Sequence, residues 1–412
     1  RVVSFGAAAA GRSSSFAMPL SDLYAGPDGV PTPLATLRER FASEPSASWA
    51  AYVVGVVAVL AHEAHDDEAL SLKLSPLIDP TRGAGGVSII VGSEVPEGKG
   101  VSSSAAVEVA TMGAMLGAAS ASLEPPERIA LLCQRAENLV VGAPCGVMDQ
   151  MASALGRKSM LLSLLCQPAA VRDAVLIPPG LRFWGIDSGV KHSVGGSDYG
   201  TVRTATFMGR TILRASFAER GGGAGAAADV KLPADAVALQ HLVHLTPSLL
   251  AEHEAALPDK LSGAQFTQEY GSHGDPITTV ATDVEYAVAR CTAHPVHENH
   301  RVGTFEALLR RMSGGDGTPA DPSTAELSLL GELMYQSHAS YSTIGLGSSA
   351  TDLIVQLVRQ MGPSSGLYGA KITGGGSGGT VCVLGDASER AEASMRKLLD
   401  DYRARSGHAP YV

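Results

Sequence analysis

Residues 96–106 read Pro96-Glu-Gly98-Lys-Gly100-Val-Ser102-Ser103-Ser104-Ala105-Ala106. The run Val87-Ser-Ile-Ile-Val91 before them is β-branched and predicts a strand. The small and apolar stretch 101–119 predicts a long helix. Between the two, glycines let the backbone turn tightly and come close to an anion. A helix start offers unpaired N–H groups and the positive end of its dipole. Three serines add hydroxyls able to meet a phosphate oxygen or a divalent cation. Together these features describe a cradle for a triphosphate. A plain helix cap needs one serine and no glycine pair. A Walker A loop is excluded, because Gly98-Lys99 is followed by Gly100 rather than Ser or Thr.

Around this segment stand 412 residues, enough for two or three domains. With 45% hydrophobic and 17% charged residues the chain is too apolar for disorder and can bury a core. The 47 glycines and 23 prolines show no collagen period and fall in loops and one biased insert. A net charge of −10 argues against nonspecific nucleic-acid binding, which needs a basic stripe. It leaves an anionic substrate open, since local amides bind phosphate against the global charge. Five scattered cysteines argue for a reducing, cytoplasmic setting and against a disulfide scaffold or zinc site. The longest apolar run, 50–61, falls short of the roughly 20 residues of a membrane helix. No signal-peptide pattern is seen. The chain opens on Arg1 rather than Met, so a fragment or processed piece is expected.

Further along, 37–63 reads as one helix with Ser46 and Ser48 as candidate caps, and 83–86 as a turn. Pro125-Pro126 opens a helix with Ile129, Leu132, Cys133 and Ala136 on one face. Strands are expected at 160–165 and 182–187, and a helix at 197–214. Low complexity marks an insert near 221–235, and 314–322 reads as a loop. Helices follow at 327–342 and 351–361. Strands at 368–373 and 380–384 then bracket a glycine cluster. The mixture is α+β with two lobes dividing near residue 190.

Several residues invite a chemical reading. Glu137 ends an apolar-faced helix, where a lone carboxylate is ordinarily just solvated. Asp149 follows a Gly- and Pro-containing loop and precedes an Ala-rich helix. It is either a helix N-terminal charge, worth at most about 1 kcal/mol, or a proton acceptor. Tyr199 could be core or a ligand contact. Asp187 and His192 lie at a strand-to-loop transition. The cluster 374–379 nominally satisfies Gly-x-Gly-x-x-Gly, but a strand follows it, so a tight hairpin fits better than a dinucleotide site. His62-Glu-Ala-His65 is one residue short of a zincin pair. His294, His297 and His300 recur every third residue, and Pro295 predicts a surface loop there.

Three of these segments resemble the GHMP kinase family. Residues 96–105 are similar to its phosphate motif Pro-x-Gly-x-Gly-Leu-(Gly/Ser)-Ser-Ser-Ala, with Val101 in place of Leu. Ala136-Glu137 followed by Gly142-Ala-Pro-Cys-Gly146-Val-Met-Asp149-Gln150 resembles the galactokinase stretch in which Glu binds magnesium and Asp meets the sugar, with the same twelve-residue separation. Lys371-Ile-Thr-Gly374-Gly375-Gly376-Ser-Gly378-Gly379 is similar to the family's C-terminal glycine motif. Longer stretches, 95–109, 142–153, 182–199 and 367–383, look like the plant-type L-arabinokinase branch.

The resemblance implies an α+β, two-lobed fold. The N-terminal lobe, 1–190, would carry a ribosomal S5 domain 2-like sheet and helices and bind ATP. The C-terminal lobe, 191–412, would be ferredoxin-like, with the active site between the lobes. It implies that Pro96, Gly98, Gly100, Ser102, Ser103, Ser104 and Ala105 hold the ATP phosphates. Ser104 and Glu137 would hold Mg2+, and Asp149 would serve as catalytic base. Gly146, Asp149, Tyr199, Gly375 and Gly376 would meet the sugar. The branch's glycosyltransferase-like half is not in this sequence, nor are the opening strands of its kinase half. Its pattern continues past Val412, so an incomplete kinase half is expected. The implied reaction transfers the γ-phosphoryl of ATP to the anomeric hydroxyl of L-arabinose, giving β-L-arabinose 1-phosphate on the way to UDP-arabinose. Galactokinase activity, or a catalytically silent sugar and nucleotide sensor, are the alternatives. Neither nucleic acid nor membrane is an expected partner.

Overall fold

The computed structural model describes residues 1–8, 11–25, 29–191, 197–220, 238–313 and 322–412. His192, the low-complexity insert and most of the 314–322 loop therefore lie outside the described residues. The chain forms two compact units, Arg1–Lys158 and Ser159–Val412. The division falls earlier than residue 190, because the strand ending at Asp187 is hydrogen-bonded to a strand near the C-terminus.

In the first unit β1 (Val2–Ser4) pairs antiparallel with β2 (Ser15–Phe16) and parallel with β3 (Ile89–Val91). Helices α1 (Leu34–Ser43), α2 (Ala51–Asp66) and α3 (Glu68–Ile78) lie between β2 and β3 in the chain. The single helix expected over 37–63 is interrupted at Pro45, where a 3-10 turn, Pro45–Ala50, links α1 to α2. Proline has no N–H to continue the ladder of the preceding helix. Neither expected serine caps α2; Ser48 instead donates to the Pro45 carbonyl.

The helical stretch Pro45–Asp66 is longer than its apolar run suggested, and is long and apolar enough to cross a bilayer. Its most apolar window is 72% buried within the protein. Val53, Val56, Val59 and Leu60 are fully enclosed, each contributing roughly 1.5–3 kcal/mol of burial. Packed around α2 are α4 (Ser103–Ala118) and α5 (Glu127–Ala136). Helix α6 (Met148–Leu155) packs on α4 and α5.

The second unit opens with two small antiparallel pairs, β4 (Met160–Leu161) with β7 (Val175–Leu176) enclosing β5 (Leu164–Leu165) with β6 (Ala170–Val171). The single strand expected at 160–165 is thus two. Three longer strands, β8 (Leu181–Asp187), β11 (Leu367–Ile372) and β12 (Thr380–Asp386), form an antiparallel sheet in the order β11-β12-β8. A further pair, β9 (Leu261–Ser262) and β10 (Glu285–Tyr286), stands apart. The helices are α7 (Ser197–Arg220), α8 (Pro247–His253), α9 (Gly263–Tyr270), α10 (Val288–Met312), α11 (Thr324–Thr343), α12 (Ser349–Met361) and α13 (Glu389–Ser406). Helix α11 presses directly on β11. A Cβ at Gly331 would stand 1.9 Å from the Tyr368 carbonyl oxygen, so only glycine allows that approach.

The histidine triplet does not form a surface loop. Helix α10 runs through Pro295. The proline removes the N–H that would bond the Cys291 carbonyl, and the Thr206 hydroxyl of α7 donates to that carbonyl instead, at 3.1 Å. His294 is held by Ser340 at 2.8 Å and stands edge-on to Tyr341, while His297 and His300 are exposed. Burial pushes His294 down to about 4, so it is a neutral interior imidazole.

One turn on, Glu298 accepts from Arg301 at 2.8 Å and Lys371 at 3.1 Å, and from Ser337. Burial alone would raise its pKa, but Lys371, Ser337 and Arg301 overcome it and hold the carboxyl at about 2. A pKa depressed on folding stabilises above the ordinary carboxylate range and ceases to do so as pH falls toward 2. Glu298→Gln is expected to destabilise the protein by roughly 2–3 kcal/mol at pH 7 and by about half of that at pH 3. Denaturant unfolding of both proteins at the two pH values measures this; an equal difference at both would contradict it.

Candidate active site

Helix α4 begins where the glycine and serine segment ends. Gly98 and Gly100 both have φ of 68° and Ser102 has 62°, all in the left-handed region. The two glycines adopt it freely. Ser102 does so at a cost on the order of 1–3 kcal/mol. Ser102 is the N-cap residue, yet its side chain makes no capping hydrogen bond. The capping explanation of these serines is therefore not realised. The 98–104 segment is mostly half-buried, and Arg12 ties its edge through an ion pair with Glu97. Ala105, just inside the helix, is fully buried and anchors the first turn.

Glu137 is not the solvated carboxylate its position suggested. Helix α5 widens at its end into a π-turn, Glu137–Val141, whose carbonyl at Glu137 accepts from both Gly142 and Ala143. Such widened turns recur at functional sites. Glu137 itself keeps ordinary helical angles and continues the buried face of Ala130 and Cys133, at 3% exposure. There it accepts from the Ser104 hydroxyl, from Gln150 Nε2 at 2.6 Å and from the Cys145 thiol at 3.5 Å. Burial raises its pKa, the three donors counter that, and Asp149 adds to the rise.

The 142–147 loop returns the chain to α6. Asn138 fixes it by accepting from the Cys145 amide at 2.9 Å, and Gln134 donates to the Cys145 carbonyl at 3.2 Å. Gly146 follows in this loop and is half-buried. Asp149 sits in the first turn of α6, half-buried, where the helix dipole favours its negative charge. It acts electrostatically on both Glu137 and Glu108, and its chain neighbour Gln150 bonds to both. The first unit thus joins Ser104 to Glu137, and Asp149 shares the first turn of α6 with Gln150, which bonds Glu137.

Ser104 and Glu137 are hard oxygen donors already in hydrogen-bond contact. Magnesium prefers oxygen ligands, keeps several waters and is completed by substrate phosphates. The pair fits that chemistry. Among the described residues no group of three or more His, Cys, Asp or Glu forms a metal site, so no closed protein cage competes with it.

Glu108 and Gln150 were not anticipated. Glu108 is fully buried on α4, and burial with the neighbouring Glu137 charge holds its pKa well above the usual range. Gln150, also fully buried, bridges it to Glu137. The signal was present: Glu108 is the sole ionisable residue of α4, spaced with Ala105, Met112 and Met115 on the buried face.

The remaining candidates lie in the second unit. Tyr199, in the first turn of α7, packs against the core that includes Leu346. The 373–379 segment is a hairpin between antiparallel β11 and β12, as its following strand predicted. Within it Tyr341 donates to the Gly374 carbonyl at 3.1 Å. Gly375 is half-buried, and Gly376 is wedged on the Leu346 backbone and Tyr341. Asp187 organises its own turn, accepting from the Gly189 amide at 2.9 Å and meeting His408 at 3.2 Å.

Comparison with known proteins decides the family. The GHMP kinases N terminal domain matches residues 51–157 and the GHMP kinases C terminal domain matches 323–403. A galactokinase of Chloroflexus aggregans is 30% identical over 80% of this chain and 67% of its own length. The chain belongs to the GHMP kinase family. Its whole length is also 41% identical to the L-arabinokinase of Arabidopsis thaliana, of which it spans only 39%. Pasteurella multocida galactokinase is 28% identical over 90% of the chain and 75% of that protein. The fold matches that of Lactococcus lactis galactokinase, solved with galactose, at a TM-score of 0.57 and 19% identity over 83% of this chain and 73% of that one.

Proposed function

We propose that this GHMP kinase chain carries an ATP-dependent sugar-1-kinase, transferring the γ-phosphoryl group of ATP to the anomeric hydroxyl of L-arabinose. The product would be β-L-arabinose 1-phosphate, a precursor on the way to UDP-arabinose. The observation that carries the reading is Ser104, in the first turn of the helix that the 98–104 loop opens, bonded to a Glu137 on which Asp149 acts electrostatically. The likeness to a protein named L-arabinokinase supports arabinose as the acceptor.

In this reading the amides and serine hydroxyls of the loop receive the phosphate oxygens. Ser104 and Glu137 hold Mg2+, which supplies charge neutralisation on the transferring group. Asp149 orients the sugar hydroxyl and accepts its proton. An aspartate is a weak base toward an alcohol, so orientation comes first and proton capture late. Gly146 lets backbone approach the sugar. Tyr199, Gly375 and Gly376 are proposed to complete the sugar site.

Galactose is the rival acceptor, favoured by the galactokinase relatives. Arabinopyranose is galactose without its exocyclic CH2OH. A difference of that size is worth about 1–3 kcal/mol, so discrimination of about 10–200-fold in kcat/KM is expected, with measurable turnover of both. Sugar-dependent ADP release from the full chain with L-arabinose, D-galactose and no sugar tests this. Preference for galactose would transfer the assignment to galactokinase. Saturable nucleotide binding with no sugar-dependent release would mark a silent sensor.

A further inference from the structure

The Gln150 side-chain amide spends both of its hydrogens on carboxylates. Its Nε2 lies 2.6 Å from Glu137 Oε2 and 3.1 Å from Glu108 Oε2. Each partner comes from a different element. Glu108 stands on α4 one turn beyond Ser104, Glu137 on the π-turn, and Gln150 on α6 next to Asp149. One amide therefore fastens the helix behind the serine loop, the turn behind Glu137 and the helix that bears Asp149.

The arrangement is a poor way to stabilise a core. Glu108 Oε1 and Gln150 Oε1 are both buried and have no hydrogen-bond partner among the described residues. Two buried acids brought to one atom, with two orphaned acceptors beside them, cost stability relative to apolar side chains of the same shape. What the three side chains gain is a fixed geometry. A carboxylate held by one oxygen has its rotation about the terminal bond restricted. An outer partner of this kind orients a metal ligand.

Taking the kinase reading as its basis, we propose that Gln150, backed by Glu108, is a positioning residue that orients the Glu137 carboxylate toward the cation and sets Asp149 at its working separation from the serine loop. Neither side chain touches substrate. Both act through Glu137 and through the packing of α6 against α4.

The test uses the full chain with ADP and Mn2+. Mn2+ affinity is read by electron paramagnetic resonance without turnover, and kcat and KM are read separately. Gln150→Met is expected to weaken Mn2+ binding about 10–100-fold and to lower kcat by a similar factor, with KM for ATP within about threefold. Glu108→Leu shifts both quantities in the same direction. Glu108→Gln keeps an oxygen to accept from Gln150 and recovers most of what Glu108→Leu loses. Met112→Ala, one turn on along α4 and fully buried, controls for lost packing and is expected to lower the melting temperature while leaving Mn2+ affinity unchanged. If Gln150→Met does not fold, the Glu108 pair carries the test alone. Mn2+ affinity and kcat within about threefold of wild type in Glu108→Leu would overturn the proposal, as would losses in Glu108→Gln equal to those in Glu108→Leu. If the unmodified chain binds neither nucleotide nor Mn2+, the kinase reading itself fails, a result distinct from a wild type that binds and variants that match it.

Discussion

Asp149→Asn is expected to reduce turnover about 10²–10⁴-fold while nucleotide binding stays near that of the wild type. The substitution keeps the shape of the side chain and removes only its charge and proton affinity. Asp149 is half-buried in the first turn of α6, so the loss of its charge costs the helix at most about 1 kcal/mol. Folding is therefore preserved and the effect falls on chemistry. Phosphoryl transfer relies on positioning and charge neutralisation, and the acceptor hydroxyl must be both aimed and deprotonated. Steady-state turnover together with ADP binding by calorimetry separates the two contributions. Near-normal turnover in Asp149→Asn would remove this residue from the chemistry.

Glu137→Gln is expected to lower turnover on the order of 10²-fold at low magnesium, with partial recovery as magnesium rises. The carboxylate sits at 3% exposure and accepts from Ser104, Gln150 and Cys145. An amide in its place keeps an oxygen but loses the charge that attracts the cation. The same change removes a buried negative charge: burial raises the pKa of both Glu137 and Glu108, Asp149 adds to each rise, and Glu137 adds to that of Glu108. The variant is thus expected to melt no lower than the wild type in the absence of metal, while binding Mg·nucleotide more weakly. Loss of activity with unchanged magnesium dependence would contradict the ligand role.

The two results together would separate the parts of the site that the sequence made legible from those it hid. The loop was readable because two glycines and three serines between a strand and a helix meet one physical requirement, close backbone approach at a helix start. The glycine hairpin at 374–379 was readable because a strand, not a helix, follows it. Glu137 reads as solvated because a carboxylate at a helix end usually is, yet it continues the buried face of Ala130 and Cys133 and finds its donors on other elements. Pro295 misled in the opposite sense. A hydroxyl from another helix, Thr206, repairs the hydrogen bond that proline breaks, and no local pattern announces such a partner. Glu108 is visible in spacing, yet a charge on a buried face has meaning only once its partners are known. Tyr199 fits either a core position or a ligand contact by sequence, and it packs on the core of the second unit.

The most direct measurement is crystallographic. The protein with Mn2+ and a non-hydrolysable ATP analogue is expected to show one anomalous peak at about 2.0–2.2 Å from the Ser104 hydroxyl and the Glu137 carboxylate. The β- and γ-phosphates would lie on the amides of the 98–104 loop. A nucleotide whose phosphates sit away from that loop, or a cation bound without Ser104 and Glu137, would contradict the site described here.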